Sequence, residues 1–144
     1  MSVIAYDGKV IAADKQATCG DLIRTVTKLV RLESGVILGW TGSQDRGLTL
    51  ARWWREGADP ESYPEFQLEE DWCRLVVLQN GRLVTYEQSP DCFEMLERCQ
   101  AFGSGRDFAI GAMEVGASAV RAAEVACKFS AGCGCGVDWF EVGK

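Results

Sequence analysis

The chain has 144 residues, 47% of them hydrophobic and 25% charged, and a net charge of −6. That is enough chain for one domain with a substantial core, and a composition usual for globular proteins. The acids are scattered and no basic stripe exists, which excludes a nucleic-acid surface. No apolar run approaches the ~20 residues that span a bilayer, so no membrane segment is expected.

No basic-then-apolar leader opens the sequence, so a cytoplasmic location and a single domain over residues 1–144 are expected. Val3 to Tyr6 is an apolar strand, and Asp7-Gly8 is a hairpin signal. Lys9 to Asp14 returns as a second strand, followed by a loop at Cys19-Gly20-Asp21. Thr25 to Leu32 reads as a third strand. Glu33-Ser34-Gly35 turns the chain into Val36 to Trp40, apolar enough for burial on both faces.

Ser43 then caps a helix with Asp45 in its first turn, and Leu50, Trp53 and Trp54 form its apolar face. Trp53 and Trp54 read as core or subunit-contact residues rather than substrate binders. Gly57 and Asp59-Pro60 end the helix, and a surface connection runs to Asp71. Leu75 to Leu78 and Leu83 to Tyr86 flank a second hairpin at Asn80-Gly81. A strand is expected over Phe93 to Cys99. After Gly103-Ser104-Gly105, a helical stretch from Arg106 to Lys128 divides near Gly116, and Val137 to Val142 closes the chain as a strand. Strands, a helix, strands, two helices and a strand suggest a layered α+β domain.

The chain has seven cysteines and no histidine. The absence of histidine removes every Ser/His/Asp and Cys/His mechanism, and no C-x-x-C pair marks a metal site. Free thiols in a reducing compartment are the expected state, with Cys133-Gly134-Cys135 leaving a redox or metal role open. Gly103-Ser104-Gly105 is no phosphate loop, because no lysine follows at the required offset.

Several blocks, in order, resemble proteasome β subunits and the bacterial HslV peptidase. Gly8-Lys9-Val10-Ile11-Ala12-Ala13-Asp14-Lys15-Gln16-Ala17-Thr18 is close to the family block V-V-x-A-x-D-x-x-A-T. Gly20-Asp21, Val26-Thr27-Lys28-Leu29, Gly39-Trp40-Thr41-Gly42, Asn80-Gly81 and Phe102-Gly103-Ser104-Gly105 follow in family order. The resemblance spans nearly the whole chain. It implies a four-layer αββα sandwich and amide hydrolysis by the first residue of the mature chain. The chain is short for the family between Trp54 and Trp72, where a second long helix would be expected. In this it resembles the short proteasome-like proteins of some phages and bacteria.

The chemistry so implied falls on five residues. Ser2, exposed by removal of Met1, would be the nucleophile with its own α-amine as base, since an α-amine has a pKa of ~8. The family usually has threonine there, so serine is a departure. Lys28 matches the family's buried lysine, whose charge would keep the amine unprotonated. Asp14 ends an apolar strand, where a carboxylate is costly unless paired, and Lys28 would be its partner. The Gly42 N–H would stabilise an oxyanion, and Ser104 matches a serine that contacts the amine. Each also has a plainer reading. Ser2 is a small residue after a methionine, Lys28 a solvent-facing lysine, Asp14 a turn aspartate, Gly42 a turn glycine and Ser104 a helix cap. The family usually carries an aspartate near Ser130 and a hydroxyl near Cys133, and neither is evident here.

The leading expectation is an N-terminal-nucleophile hydrolase that cleaves peptides or unfolded proteins without a cofactor or metal. The resemblance implies a homo-oligomeric ring, with a separate ATP-driven unfoldase as a further partner. The alternatives are a non-catalytic assembly subunit of the same fold and an amidase for small molecules.

Overall fold

The computed structural model describes residues 2–65 and 72–143. Along the chain run β1 (Ile4–Tyr6), β2 (Val10–Asp14), β3 (Gln16–Cys19), β4 (Leu22–Thr25), β5 (Leu29–Arg31) and β6 (Ile37–Gly42). Helix α1 (Gln44–Arg55) and a single 3-10 turn at Pro60–Ser62 follow. Then come β7 (Cys73–Gln79), β8 (Arg82–Tyr86), β9 (Phe93–Met95), β10 (Gln100–Phe102), α2 (Arg106–Glu114), α3 (Ala119–Phe129) and β11 (Val137–Glu141).

Side-chain alternation in the first two strands sets the layering. Successive residues of a strand face opposite ways. Val3, Ala5 and Ala12 therefore pack outward on Ala109, Met113, Ala122 and Ala126 of α2 and α3. Ile4, Tyr6, Ile11 and Ala13 face the other way, onto Leu29, Ile37, Val76 and Leu78. The second sheet repeats the device, with Leu38, Trp40, Leu75 and Val77 turned out against Leu50 and Ala51 of α1. Three clusters stacked in series give the αββα sandwich. The sheets are antiparallel, ordered β10-β1-β2-β11 and β5-β6-β7-β8-β9, with β3 and β4 forming a separate hairpin.

Local signals explain most boundaries. Ser43 accepts the Arg46 N–H and caps α1, and Ser118 does the same for α3 through Arg121. Asn80 and Gly81 both hold positive φ, 53° and 75°, as a two-residue hairpin turn requires. Trp53 is core: its indole N–H donates to the Asp59 carbonyl at 2.8 Å, and its ring meets Tyr63 and Tyr86 edge-on.

Three expectations need correction. The first turn lies one residue later than Asp7-Gly8: Asp7 N donates to Val10 O, so Gly8-Lys9 is the turn pair. Asp7 is instead the anchor, its carboxylate accepting N–H bonds from Lys9, Val10 and Ala119 of α3. The supposed strand from Thr25 to Leu32 is two pieces. Val26 still bonds back to Lys15 beside the β3–β4 hairpin, whereas Lys28 O already accepts from Trp40 in the second sheet. The strand expected over Phe93 to Cys99 likewise splits. Phe93–Met95 pairs with β8, and the chain then crosses so that Gln100–Phe102 pairs with β1. Between α1 and β7 the described residues hold no second long helix.

Gly47 in α1 faces Trp40, and a Cβ there would lie 2.3 Å from the indole ring. Alanine normally stabilises a helix interior by about 1 kcal/mol over glycine. Here the clash with a buried indole outweighs that gain, since overpacking a core costs about 1–3 kcal/mol. Gly47→Ala is therefore expected to lower the urea midpoint, and a raised midpoint would show that α1 does not seat on Trp40 as described.

Candidate active site

The site is built where the N-terminal strand leaves the first sheet. Asp14 ends β2 and is completely buried. Its Oδ1 accepts the Val3 N–H at 3.0 Å and Lys28 Nζ at 2.9 Å. Its Oδ2 accepts the Gln16 and Gly134 N–H groups, each at 3.2 Å. A buried carboxylate survives desolvation only when its lone pairs are met this fully.

Lys28 sits just ahead of β5 with its side chain turned inward, only 3% of the residue exposed. Besides Asp14 it reaches Ser2, donating from Nζ to Oγ at 3.1 Å. Ser2 is 1% exposed. Its N–H donates to Ser104 Oγ at 3.2 Å, and its carbonyl accepts the Gly105 N–H at 3.0 Å. The Ser2 backbone is thus pinned on both sides while its hydroxyl faces a buried ammonium.

Two glycines permit this fit. A Cβ on Gly103, at φ +93°, would lie 2.2 Å from the Ser2 carbonyl oxygen. A Cβ on Gly42 would lie 2.3 Å from the Trp72 carbonyl oxygen. Gly42, Ser2 and Ser104 together face a pocket of about 520 Å³ whose other walls include Trp72, Arg74 and Arg106. The site residues read from the sequence thus lie together: Ser2, Lys28, Asp14 and Ser104 are linked by hydrogen bonds, and Gly42 lines the pocket that Ser2 and Ser104 face.

The segment from Ser130 to Gly134, which lacks the expected acid, meets the same centre by other means. Gly134 supplies a backbone N–H to Asp14, and a Cβ on it would strike Gln16 Oε1 at 2.5 Å. Cys133 is buried behind Ser104. Burial pushes its thiol pKa up, while Ser130 and Ser104 act in the opposite direction. All seven cysteines are unpaired: Cys73 and Cys133 are buried, Cys19, Cys92 and Cys135 exposed, and Cys99 and Cys127 between. Burial also raises the Cys73 thiol to about 12 and the Cys127 thiol to about 11, so neither is a ready thiolate.

The sequence matches no family model and no curated protein. Solved structures do match. Thiobacillus denitrificans BPH in complex with epoxomicin superposes with a TM-score of 0.73 at 22% identity, covering 100% of both chains. Another structure of Thiobacillus denitrificans BPH gives 0.71 at 20% identity, covering 99% of this chain and 98% of that one. HslV from Trypanosoma brucei gives 0.71 at 16% identity over 97% of each chain. The fold is that of HslV.

In this HslV-like fold, three contributors to the site carried no readable sequence signal. The Gly105 and Gly134 N–H groups are backbone donors, which any residue type but proline supplies. Arg106 reads as an ordinary first-turn residue of α2, and only the folded chain sets it at the pocket.

The Asp14–Lys28 pair should dominate local stability. Removing one partner of a buried ion pair leaves the other uncompensated, at a cost of about 3–5 kcal/mol. Asp14→Ala, compared with the parent by urea unfolding at equal protein concentration, is expected to lose that much. A loss under about 1 kcal/mol would mean that Lys28 and Asp14 are solvated.

Proposed function

We propose that the chain is an N-terminal-nucleophile hydrolase that cleaves peptide bonds with Ser2 after removal of Met1. The observation that carries this reading is Lys28 Nζ at 3.1 Å from Ser2 Oγ, with the same ammonium held by buried Asp14.

With Met1 gone, Ser2 N becomes an amine with Ser104 Oγ beside it. The neighbouring Lys28 charge disfavours a second positive charge and keeps that amine neutral. Neutral, it takes the proton from Ser2 Oγ, directly or through one water. The oxygen then attacks the substrate carbonyl carbon, and the carbonyl π electrons move to oxygen as an oxyanion. The Gly42 N–H is the donor assigned to that oxyanion, a contribution of about 3 kcal/mol where such a donor is well aimed. Collapse breaks the C–N bond, and the leaving amine takes the proton from the Ser2 ammonium. Water, deprotonated by the same amine, then hydrolyses the ester and restores Ser2.

Peptides or unfolded proteins are the substrates assigned. A homo-oligomeric ring and an ATP-driven unfoldase are the partners that a compartmentalised peptidase of this fold would use. Epoxomicin, bound in one of the similar structures, is a direct probe of the site. No helix among the described residues is long and apolar enough to cross a membrane.

Intact-mass measurement of the purified protein is expected to show quantitative loss of Met1, and fluorogenic peptides should be hydrolysed. Ser2→Ala should lower kcat/KM by at least a hundredfold with assembly unchanged, and Lys28→Ala should lower it as much while also losing the stability of the pair with Asp14. Retention of Met1, or full activity in both variants, would contradict this reading.

A further inference from the structure

The pocket beside Ser2 is basic on a protein whose net charge is −6. Arg74 and Arg106 line it, and no acid does among the described residues. The two arginines differ in what they have left to offer. Arg74 is spoken for: its Nε and Nη2 both meet Glu87 Oε1, at 2.9 and 2.6 Å. Its guanidinium also lies over the Trp72 and Phe102 rings, 5.5 and 5.4 Å from their centroids. It serves as a neutralised, packed wall.

Arg106 is different. It opens α2 immediately after Ser104-Gly105, so the fold fixes its backbone beside Ser2. Its Nη1 donates to the Gly103 carbonyl at 3.0 Å, which holds the guanidinium at the pocket instead of letting it sweep through solvent. Among the described residues it has one ion-pair partner, Asp107, which stands 3.9 Å from Nε and is 88% exposed, so it neutralises little. The Nη2 edge has no partner among the described residues, and the side chain is 58% exposed. A fixed cation with a vacant donor edge, in a cleft walled by an indole ring, is suited to a carboxylate.

We propose that this pocket binds a carboxylate of the substrate close to the scissile bond, and that Arg106 is the residue that reads it. The proposal deepens the peptidase reading and rests on it for the identity of the substrate. The carboxylate comes either from an acidic side chain or from the end of a peptide. Exposure and salt screening limit the gain, so a preference of about five- to tenfold at low salt is expected, falling as salt rises.

The test uses the Ser2→Ala protein, so that binding is read without turnover. Three labelled pentapeptides are compared by fluorescence anisotropy: Ala-Ala-Glu-Ala-Ala amide, its Gln counterpart, and the Gln peptide with a free terminal carboxylate. At least one carboxylate peptide should bind about five- to tenfold tighter than the neutral amide. Which one does so identifies the source as side chain or chain end. Arg106→Gln in the same background should erase the difference and leave binding of the neutral peptide within about twofold of that of the Ser2→Ala protein itself. Equal binding of all three peptides, binding of none, or a preference that survives Arg106→Gln would overturn the proposal. Failure of the wild-type protein to hydrolyse any peptide is a separate result, which counts against Ser2 as nucleophile and not against this charge preference.

Discussion

One buried carboxylate holds the molecule's working end together. Asp14 gathers donors from four separate segments: Val3 in the opening strand, Gln16 at the start of the β3–β4 hairpin, Lys28 before β5, and Gly134 ahead of β11. No two of these segments are adjacent strands of one sheet at the point of contact. The carboxylate therefore does what backbone pairing cannot. It fixes the N-terminal strand against both sheets at once.

The position of Ser2 follows from that constraint. Val3 is bonded through its N–H to Asp14, so Ser2 is held one residue beyond the carboxylate, within reach of Lys28. The far side is closed by Gly105 and Ser104, which act on the Ser2 carbonyl and N–H. Every group around the serine is thus set by elements packed for other reasons: the sheet pair, the start of α2, and the loop before β11. Such rigidity is what the proposed nucleophile would need, because a small misplacement of a reacting atom costs rate steeply.

Much of this was legible in the residues. The alternation in β1 and β2, the serine caps of α1 and α3, and the Asn80-Gly81 turn are local signals with local causes. Asp14 and Lys28 were readable because a carboxylate ending an apolar strand demands a partner. Changes of strand partner were not readable. Residues 25–32 and 93–99 are extended throughout much of their length, yet each transfers from one group of strands to another, and side-chain pattern does not encode which sheet a strand joins. Nor did the sequence show how the segment after α3 serves the site without an acid. Gly134 does it with a backbone N–H, for which no residue type is diagnostic. Arg106 was equally silent, since a charged residue in a helix's first turn ordinarily faces water.

The central claim is that a covalent ester forms on Ser2 as the first residue of the mature chain. Acid quenching of a reaction with a slowly turned-over peptide ester, followed by peptide mapping, tests it most directly. The account predicts an acyl adduct on an N-terminal fragment that begins at Ser2, lost when the reaction is left to turn over at neutral pH before the quench. An adduct on Lys28 or a cysteine, or a fragment that still carries Met1 while substrate is consumed, would contradict it.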